Sequence, residues 1–421
     1  MEQWINFEQS LNQRLNSQHL DDQQTKARNF SLEGHGLIRG VAGSGKSLVL
    51  RNRIETLIEA GYNDILVLCY NRFMNGWIKS IMAERKGLSL NVECRTFHSW
   101  AYRIGYTYNW DEIPEKRQQI IELVKTYYNA NPKKRYKAIL IDEAQDFYDE
   151  WFVAMLDAVS PDTNSIFFVY DNTQSVYEGQ QHRRKEKWTW KNLGFNIPGG
   201  RSQIFDLNYR NAPEILELAW QFIIPYLASA NMKIAKRSEA GGKIDHIVEP
   251  VKKSSRSSSI KPMLVSDMSP DNIAKQVKLA LSSHPESSIG VLLHPQESRD
   301  FKLEISKSLR QLDVAHHAPM RPENRDHNVV NRPFVIVDSW NALKGVEFDA
   351  VIIAGVDQVE NLPDADKDFQ EKAGLYTAIT RAKDHVVMLY QAETQVVQQL
   401  QNILTAPDVL ESDSMLNAQV A

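Results

Sequence analysis

Residues 40–47 read GVAGSGKS, and the order of residue types there says more than the composition of the chain does. Glycines at Gly40, Gly43 and Gly45, with Ser44 between the last two, let a backbone bend tightly enough to turn its N–H groups towards phosphate oxygens. A helix starting at the end of the loop adds positive potential. Lys46 can reach the outer phosphates, and Ser47 offers a hydroxyl to a magnesium ion. By composition such a string arises in about one chain in a hundred of this length, so an idle Gly-rich turn is the weaker reading. The other half of a phosphate site should be an acid ending a neighbouring strand, and Asp142 and Glu143 directly follow the apolar run AILI. There an aspartate helps hold the metal and the adjacent glutamate orients and deprotonates an attacking water. Alone, two acids after a strand are often only solvated; beside the phosphate loop they point to nucleotide hydrolysis.

Strands must carry these residues. Short apolar runs at 36–40 (GLIRG), 65–70 (ILVLCY), 138–143 (AILIDE) and 165–171 (SIFFVYD) alternate with longer amphipathic stretches, as buried parallel strands do. The pattern starts again at 262–266 (PMLVS), 289–294 (IGVLLH), 334–339 (FVIVDS), 350–355 (AVIIAG) and 386–390 (VVMLY), which implies two α/β sheets. Turn residues gather at Pro198, Gly199 and Gly200, and a new strand-helix pattern follows. The expected organisation is a first domain over 1–198, a second over 199–400 and a polar tail over 401–421. The serine-rich basic stretch 252–261 (KKSSRSSSIK) reads as a surface connection, and no repeat of solenoid period is visible.

A chain of 421 residues can bury more than one core. Its two cysteines, Cys69 and Cys94, stand in apolar or strand-like surroundings, which fits a reducing, cytoplasmic setting. No stretch approaches the ~20 apolar residues of a membrane span, so no membrane partner is expected. With 49 basic residues against 53 acidic ones, the net charge of −4 offers a polyanion no global attraction, and any nucleic-acid contact must be local. The best local patch is 182–191 (HRRKEKWTWK); on its own it reads as a solvated loop ahead of a strand contact.

The acids after AILI continue as DEAQD (142–146), and from that point the chain resembles the superfamily 1 helicases of the UvrD/Rep/PcrA group. In order it shows LDDQQ (20–24) like their Q motif, GVAGSGKS, TFHSWA (96–101), DEAQD and DNTQSVY (171–177). NYRN (208–211), SWNALKGVEFD (339–349) and LYTAITRA (375–382) follow, so the likeness spans most of the chain. It implies an α/β fold of two RecA-like P-loop NTPase domains with parallel sheets and ATP, with Mg2+, in the cleft between them. It further implies that Gln24 reads the adenine edge, Tyr209 stacks on the base, Glu347 meets the ribose and Gln174 senses the γ-phosphate. Arg210 and Arg381 would approach from the second sheet to stabilise the transferring phosphoryl group, for which an always-ionised guanidinium is suited. Lys344 and Gly345 lie in the same coupling motif as Glu347. The implied partner is single-stranded DNA, with RNA open beside it, and the implied movement is 3′→5′. Tyr70, Asn71, Thr96, Phe97 and His98 would line the strand, with Tyr177 and Asn341. Following the Gln174 motif directly, the 182–191 patch then leans towards strand contact, with Trp188 and Trp190 as stacking rings.

Several positions depart from the group. Tyr170 replaces a glycine before Asp171, and Gly179 stands where a base-stacking tryptophan is expected, a role Trp188 or Trp190 could take over. Ser339 and Asn341 replace a Thr-x-His pair, and Leu48 replaces an arginine beside the adenine, which implies looser base selectivity. The stretches between TFHSWA and DEAQD and between Ala318 and Phe334 are too short for the group's inserted subdomains. Translocation or DNA-stimulated ATP hydrolysis is therefore expected ahead of strong unwinding. The alternative is a regulatory ATPase that controls a partner nuclease, in the manner of the helicase-like subunits of bacterial antiphage nuclease-helicase systems such as Gabija. A GTPase or small-molecule kinase finds no support, because no guanine-reading N-K-x-D is present.

Overall fold

The computed structural model describes residues 20–76, 79, 92–107, 114–175, 183, 188–240, 246–251, 260–283, 287–326 and 335–406. In the first lobe the apolar runs become β1 (His35–Gly40), β2 (Ile65–Cys69), β3 (Val92–Thr96), β4 (Ala138–Ile141), β5 (Ser165–Tyr170) and β6 (Ser202–Phe205). All pairs are parallel, in the order β3-β2-β4-β5-β1-β6. β1, β2, β4 and β5 are buried along their whole length, which is why they read as unbroken apolar runs and not as alternations. Their side chains nevertheless alternate between two helix-covered faces. Phe168 joins Trp100 and Phe152 on one face, and Phe167 joins Ile54 and Leu57 on the other.

This strand order places the chemistry. β4, β5 and β1 are neighbours, so the loops leaving their C-terminal ends meet along one edge: 142–146 after β4, 171–174 after β5 and 40–47 after β1. An open parallel sheet gathers its ligand-binding loops at this edge.

A short parallel pair, β7 (Ile234–Ala235) and β8 (Ile247–Val248), precedes the second lobe's sheet. That sheet contains β9 (Met263–Val265), β10 (Ile289–Leu293), β11 (His316–His317), β12 (Val335–Ser339), β13 (Phe348–Ala354) and β14 (Ala382–Leu389). It too is parallel, in the order β11-β12-β10-β13-β14-β9. The α/β class with two parallel sheets is as the sequence implies. The boundary at 198 needs correction: β6 lies beyond it yet pairs with β1, because Pro198 to Gly200 make only the turn into the edge strand of the first sheet. The tail also starts later, since the helix Gln395–Thr405 packs Val396, Val397 and Leu400 into the second lobe's core.

The chain changes lobes between Asn208 and Ala212, ahead of the helix Pro213–Ser229. Asn208 is fully used there. Its Nδ2 donates to the Ala42 carbonyl and to Asn211 Oδ1, at 2.8 and 2.7 Å, and its Oδ1 accepts the amides of Arg210 and Asn211. Asn211 Nδ2 in turn reaches the carbonyls of Thr380 and Ala382. Ala42 and Phe73 of the first lobe enter the hydrophobic core built around Leu343, Ile353 and Tyr376 of the second. Asn211→Ala removes the Asn211 bonds to the carbonyls of Thr380 and Ala382, Thr380 keeping Arg210, and the chemical-denaturation midpoint should fall by the equivalent of about 1–3 kcal/mol; an unchanged midpoint would mean that these bonds do not tie the lobes.

His35, at the start of β1, fixes that strand's entry. Its Nδ1 accepts the Asn196 amide at 2.9 Å and its Nε2 faces Asn164 Oδ1 at 3.2 Å, so a neutral ring with its proton on Nε2 satisfies both. Burial holds its pKa below the ordinary 6.5, against the pull of Asn164. Above 6.5 the ring is neutral whether the chain is folded or not. As pH falls from there towards the folded value, the unfolded chain binds the proton first, and His35's contribution to stability is lost in that window. His35→Gln should therefore flatten the decline in Tm as pH falls below the ordinary histidine value of 6.5. A decline as steep as the wild type's would place the acid sensitivity elsewhere.

Candidate nucleotide site

The loop after β1 has a left-handed backbone at Gly43 (φ 66°) and Gly45 (φ 81°). A Cβ at Gly43 would sit 2.7 Å from the Cβ of Arg210 and 2.8 Å from Asn208 Nδ2, so only glycine lets the crossover segment lie against the loop. The helix Lys46–Glu59 begins at the loop's end. Lys46 Nζ donates to the carbonyls of Gly40 and Val41, at 2.9 and 2.8 Å, and lies 3.9 Å from Asp171 Oδ2. Burial lowers its pKa while Asp171 and Glu143 raise it, and the Arg210 charge lowers it again, so the second cation is close enough to be felt.

The acids at the ends of β4 and β5 form one hydrogen-bonded unit. Glu143 has a left-handed backbone (φ 51°), uncommon for a residue with a side chain and costing on the order of 1 kcal/mol or more. Asp142 Oδ1 accepts the Glu143 amide at 2.9 Å. Gln145 Nε2 donates to Glu143 Oε2, while its Oε1 accepts the Asp171 amide at 3.1 Å. Asp171 Oδ2 then accepts Gln174 Nε2 at 2.6 Å. Burial, and next the charge of Glu143, push the Asp142 carboxyl up to about 7, against the pull of Ser47 and Lys46. Glu143 goes the other way: burial opposes it, yet Lys344, Arg381 and Lys46 hold it below its usual range.

These residues fit a magnesium ion. Asp142 Oδ2 is buried with no hydrogen-bond donor, an arrangement that is costly unless a cation completes it, and the Ser47 hydroxyl is near enough to act on the same carboxylate. Among the described residues no cluster of three or more His, Cys, Asp or Glu could hold a metal by protein ligands alone. One carboxylate and one hydroxyl suit an ion that takes its remaining ligands from phosphates and water.

The second lobe supplies the facing charges. Arg381 Nη2 donates to Gln174 Oε1 at 2.7 Å and its Nε to the Thr377 carbonyl at 3.1 Å. Burial, then Arg210, push its pKa down to about 10, while Glu143, Glu347 and Asp171 support its charge. Arg210 pairs with Glu347 and donates to the Thr380 carbonyl at 3.3 Å, leaving its buried Nε without an acceptor. It comes from the crossover segment and not from the second sheet itself, which corrects the expectation that both arginines arise there. Lys344 Nζ spans the cleft to both oxygens of Asp146, at 2.8 and 2.6 Å, and to the Gln174 carbonyl. The sequence reading gave no role to Asp171, Gln145 or Asp146; their only signal was a place beside motif residues that it did use.

Residues 23–180 match the AAA domain family. That span carries Gln24, the 40–47 loop, Asp142, Glu143 and Gln174, all the first-lobe residues of the cleft. Among solved structures the chain is similar to the C-terminal domain of a possible DNA helicase from Lactobacillus plantarum WCFS1, at 18% identity and a TM-score of 0.30, over 47% of this chain and 96% of that one. No match was found among curated proteins.

Beside the 40–47 loop, the start of the helix Asp22–Arg28 and the crossover segment come together. Asp21 caps the helix Asp22–Arg28 by accepting the Gln24 amide, while Gln24 Oε1 accepts the Asp21 amide at 3.0 Å. Gln24 Nε2 donates to the Ser44 carbonyl at 3.0 Å, and Tyr209 donates its hydroxyl to Asp21 Oδ2. The Tyr209 backbone N–H reaches the Gly43 carbonyl at 2.9 Å. One N–H and one lone pair of the Gln24 amide remain, the complement of adenine N7 and N6 but not of guanine N7 and O6. Gln24→Ala should thus raise KM for ATP and shrink the preference for ATP over GTP by about tenfold. An unaltered preference in steady-state assays would remove Gln24 from base recognition.

The expected strand contacts divide. Tyr70, Asn71, His98 and Asn341 are partly exposed. Asn71 Nδ2 donates to the Lys344 carbonyl, across the lobes. Phe97 is 0% exposed and stacks on Trp151 at 3.9 Å, and Trp190, 7% exposed, packs against Phe168 and Phe152. Trp188 is partly buried beside it with its Nε1 donating to Asp149 Oδ2 at 2.9 Å. Thr96 is buried and caps the helix Phe97–Arg103 by accepting the Ser99 amide. Phe97 and Trp190 are therefore corrected from base-stacking rings to core side chains, since interdigitated aromatics cannot also offer a face to a base. Tyr177, Gly179 and half of the 182–191 patch lie outside the described residues. No described helix is long and apolar enough to cross a membrane.

Proposed function

We propose that this chain hydrolyses ATP in the cleft between its lobes and uses the resulting opening and closing to move along single-stranded DNA, 3′→5′. The observation that carries the proposal is the reach of Arg381 from the second lobe to Gln174, whose own side chain bonds Asp171 beside Lys46. A guanidinium and an ammonium from opposite lobes are thus joined through Gln174 and Asp171. A triphosphate is the substrate whose charge matches them.

Each step then falls to a named group. The 40–47 backbone and Lys46 receive the phosphates, Lys46 exchanging the carbonyls of Gly40 and Val41 for phosphate oxygens. Gln24 and Tyr209 take the base. Magnesium bound at Ser47 and Asp142 would neutralise phosphate charge. Glu143, held ionised by Lys344, Arg381 and Lys46, accepts a proton from the attacking water, which Gln174 orients. Arg381 and Arg210 stabilise the charge on the transferring phosphoryl group. Arg210 can do so by trading Glu347 for phosphate, and Glu347 is then released towards the ribose. Because these groups come from both lobes, nucleotide favours the closed cleft and product release lets it open. The lobes act as two units joined at 208–212. Tyr70, Asn71, His98 and Asn341 offer the strand contacts.

A second reading is a DNA-stimulated regulatory ATPase that controls a partner nuclease. The burial of Phe97 and Trp190 favours it, because it leaves fewer aromatic faces to grip a strand during movement. The two readings separate in one series of assays. Lys46→Ala and Glu143→Gln should each cut ATP turnover by about a hundredfold or more with folding intact, and single-stranded DNA should raise wild-type turnover. Displacement of streptavidin from a 5′-biotinylated strand marks the motor, and stimulation without displacement marks the regulator. Full turnover in either variant, or indifference to nucleic acid, would sink both.

A further inference from the structure

One buried carboxylate in the second lobe has more cations than it needs. Asp338, at the end of β12, accepts Lys302 Nζ at 2.8 Å and the Ser339 amide at 2.8 Å. It also accepts Arg325 through a two-pronged contact, Nε to Oδ2 at 2.7 Å and Nη2 to Oδ1 at 2.9 Å. Lys302 alone balances the charge. It is buried, and it also donates to the Pro319 carbonyl at 2.7 Å, so it serves the fold. Arg325 is the surplus charge, and 28% of its side chain is exposed. An arginine held along its Nε–Nη2 edge has its Nη1 donors facing away from the carboxylate, oriented and not free to collapse onto it.

The place of this pair in the fold says what it faces. Ser339 and Asn341 follow Asp338 directly in the chain, and β11, which pairs with β12, brings His317 against Phe73 of the first lobe, 6.5 Å between rings. Phe73 lies two residues beyond Asn71, which bonds the Lys344 carbonyl. The end of β12 thus borders the lobe junction on the side of Asn71 and Asn341. Arg321, exposed, precedes Arg325 in the same segment.

We propose that Arg325, aimed by Asp338, binds a phosphodiester of the single strand on the second lobe. The inference rests on the strand-handling reading above and assigns that lobe a backbone contact where stacking rings are few. Arginine is the residue for it: the guanidinium holds its charge, and a fixed fork loses little freedom on meeting a phosphate. Such a contact positions the strand without reading its sequence.

The test is binding of the full chain to a fluorescein-labelled oligo-dT, followed by anisotropy across a salt series, for the wild type, Arg325→Ala, Arg325→Lys and the exposed control Lys307→Ala. Removing Arg325 leaves Asp338 with Lys302 and the Ser339 amide, so the fold is expected to survive, as a melting curve will verify. Arg325→Ala should bind about tenfold more weakly and lower the slope of log K against log salt by about 0.7, one phosphate's worth on a single strand. Arg325→Lys should keep the slope and lose part of the affinity, while Lys307→Ala changes neither. Unchanged binding by Arg325→Ala, or an equal loss in Lys307→Ala, overturns the assignment while leaving strand handling intact. A wild type that binds no oligonucleotide removes the strand-handling reading and this contact with it.

Discussion

A buried ammonium must find an anion within hydrogen-bonding distance, and at Lys344 the anion belongs to the other lobe. Lys344 is 1% and Asp146 2% exposed, and removing either partner of such a pair costs about 3–5 kcal/mol. The bond can exist only when the lobes stand close together. Its neighbours follow from it: Asn71 bonds the Lys344 carbonyl, and Gly345, left-handed at φ 84°, lets Met74 approach where a Cβ would lie 2.9 Å from its sulfur. With the lobes at that separation, Arg381 meets Gln174 and Arg210 lies against the phosphate loop.

The same closeness sorts the acids. Asp142 and Glu143 are adjacent and both buried, yet Asp142 is pushed up to about 7 by burial and by its neighbour, while second-lobe cations hold Glu143 low. Asp146, raised to about 7 by burial with Lys344 opposing, completes the series. Carboxylates separated by environment and not by residue type can take different tasks. For Glu143 the lowering comes chiefly from the far lobe, through Lys344 and Arg381, so opening the cleft would withdraw it.

Most of the strands and the order of the motifs were legible in the sequence, because strands buried on both faces leave uninterrupted apolar runs and the phosphate loop needs glycine at fixed places. What stayed hidden depends on pairing at a distance. β6 looked like the start of a second domain because Pro198 to Gly200 mark a turn, and a turn does not say which sheet its next strand joins. Phe97 and Trp190 looked like stacking rings because an aromatic serves a core or a base equally well, and only the packing of Trp151 and Phe168 decides. Asp338 and Arg325 gave no signal, and Asp171 and Gln145 only a place beside motif residues, since each depends on a partner brought near by the fold. Of the candidate site, the residue types were readable, and the hydrogen-bonded network that holds them was not.

The order of strands in the first sheet also bears on how the chain comes together. β1 carries the phosphate loop and is made first, but its flanking partners are β5 and β6. Until Ser165–Tyr170 has left the ribosome, the nascent β1 has no strand to pair with and its apolar residues have no sheet to join. The earliest-made part of the nucleotide loop's support is thus among the last to be set in place, and a chain cut short before β5 would present that greasy segment to chaperones or to other chains.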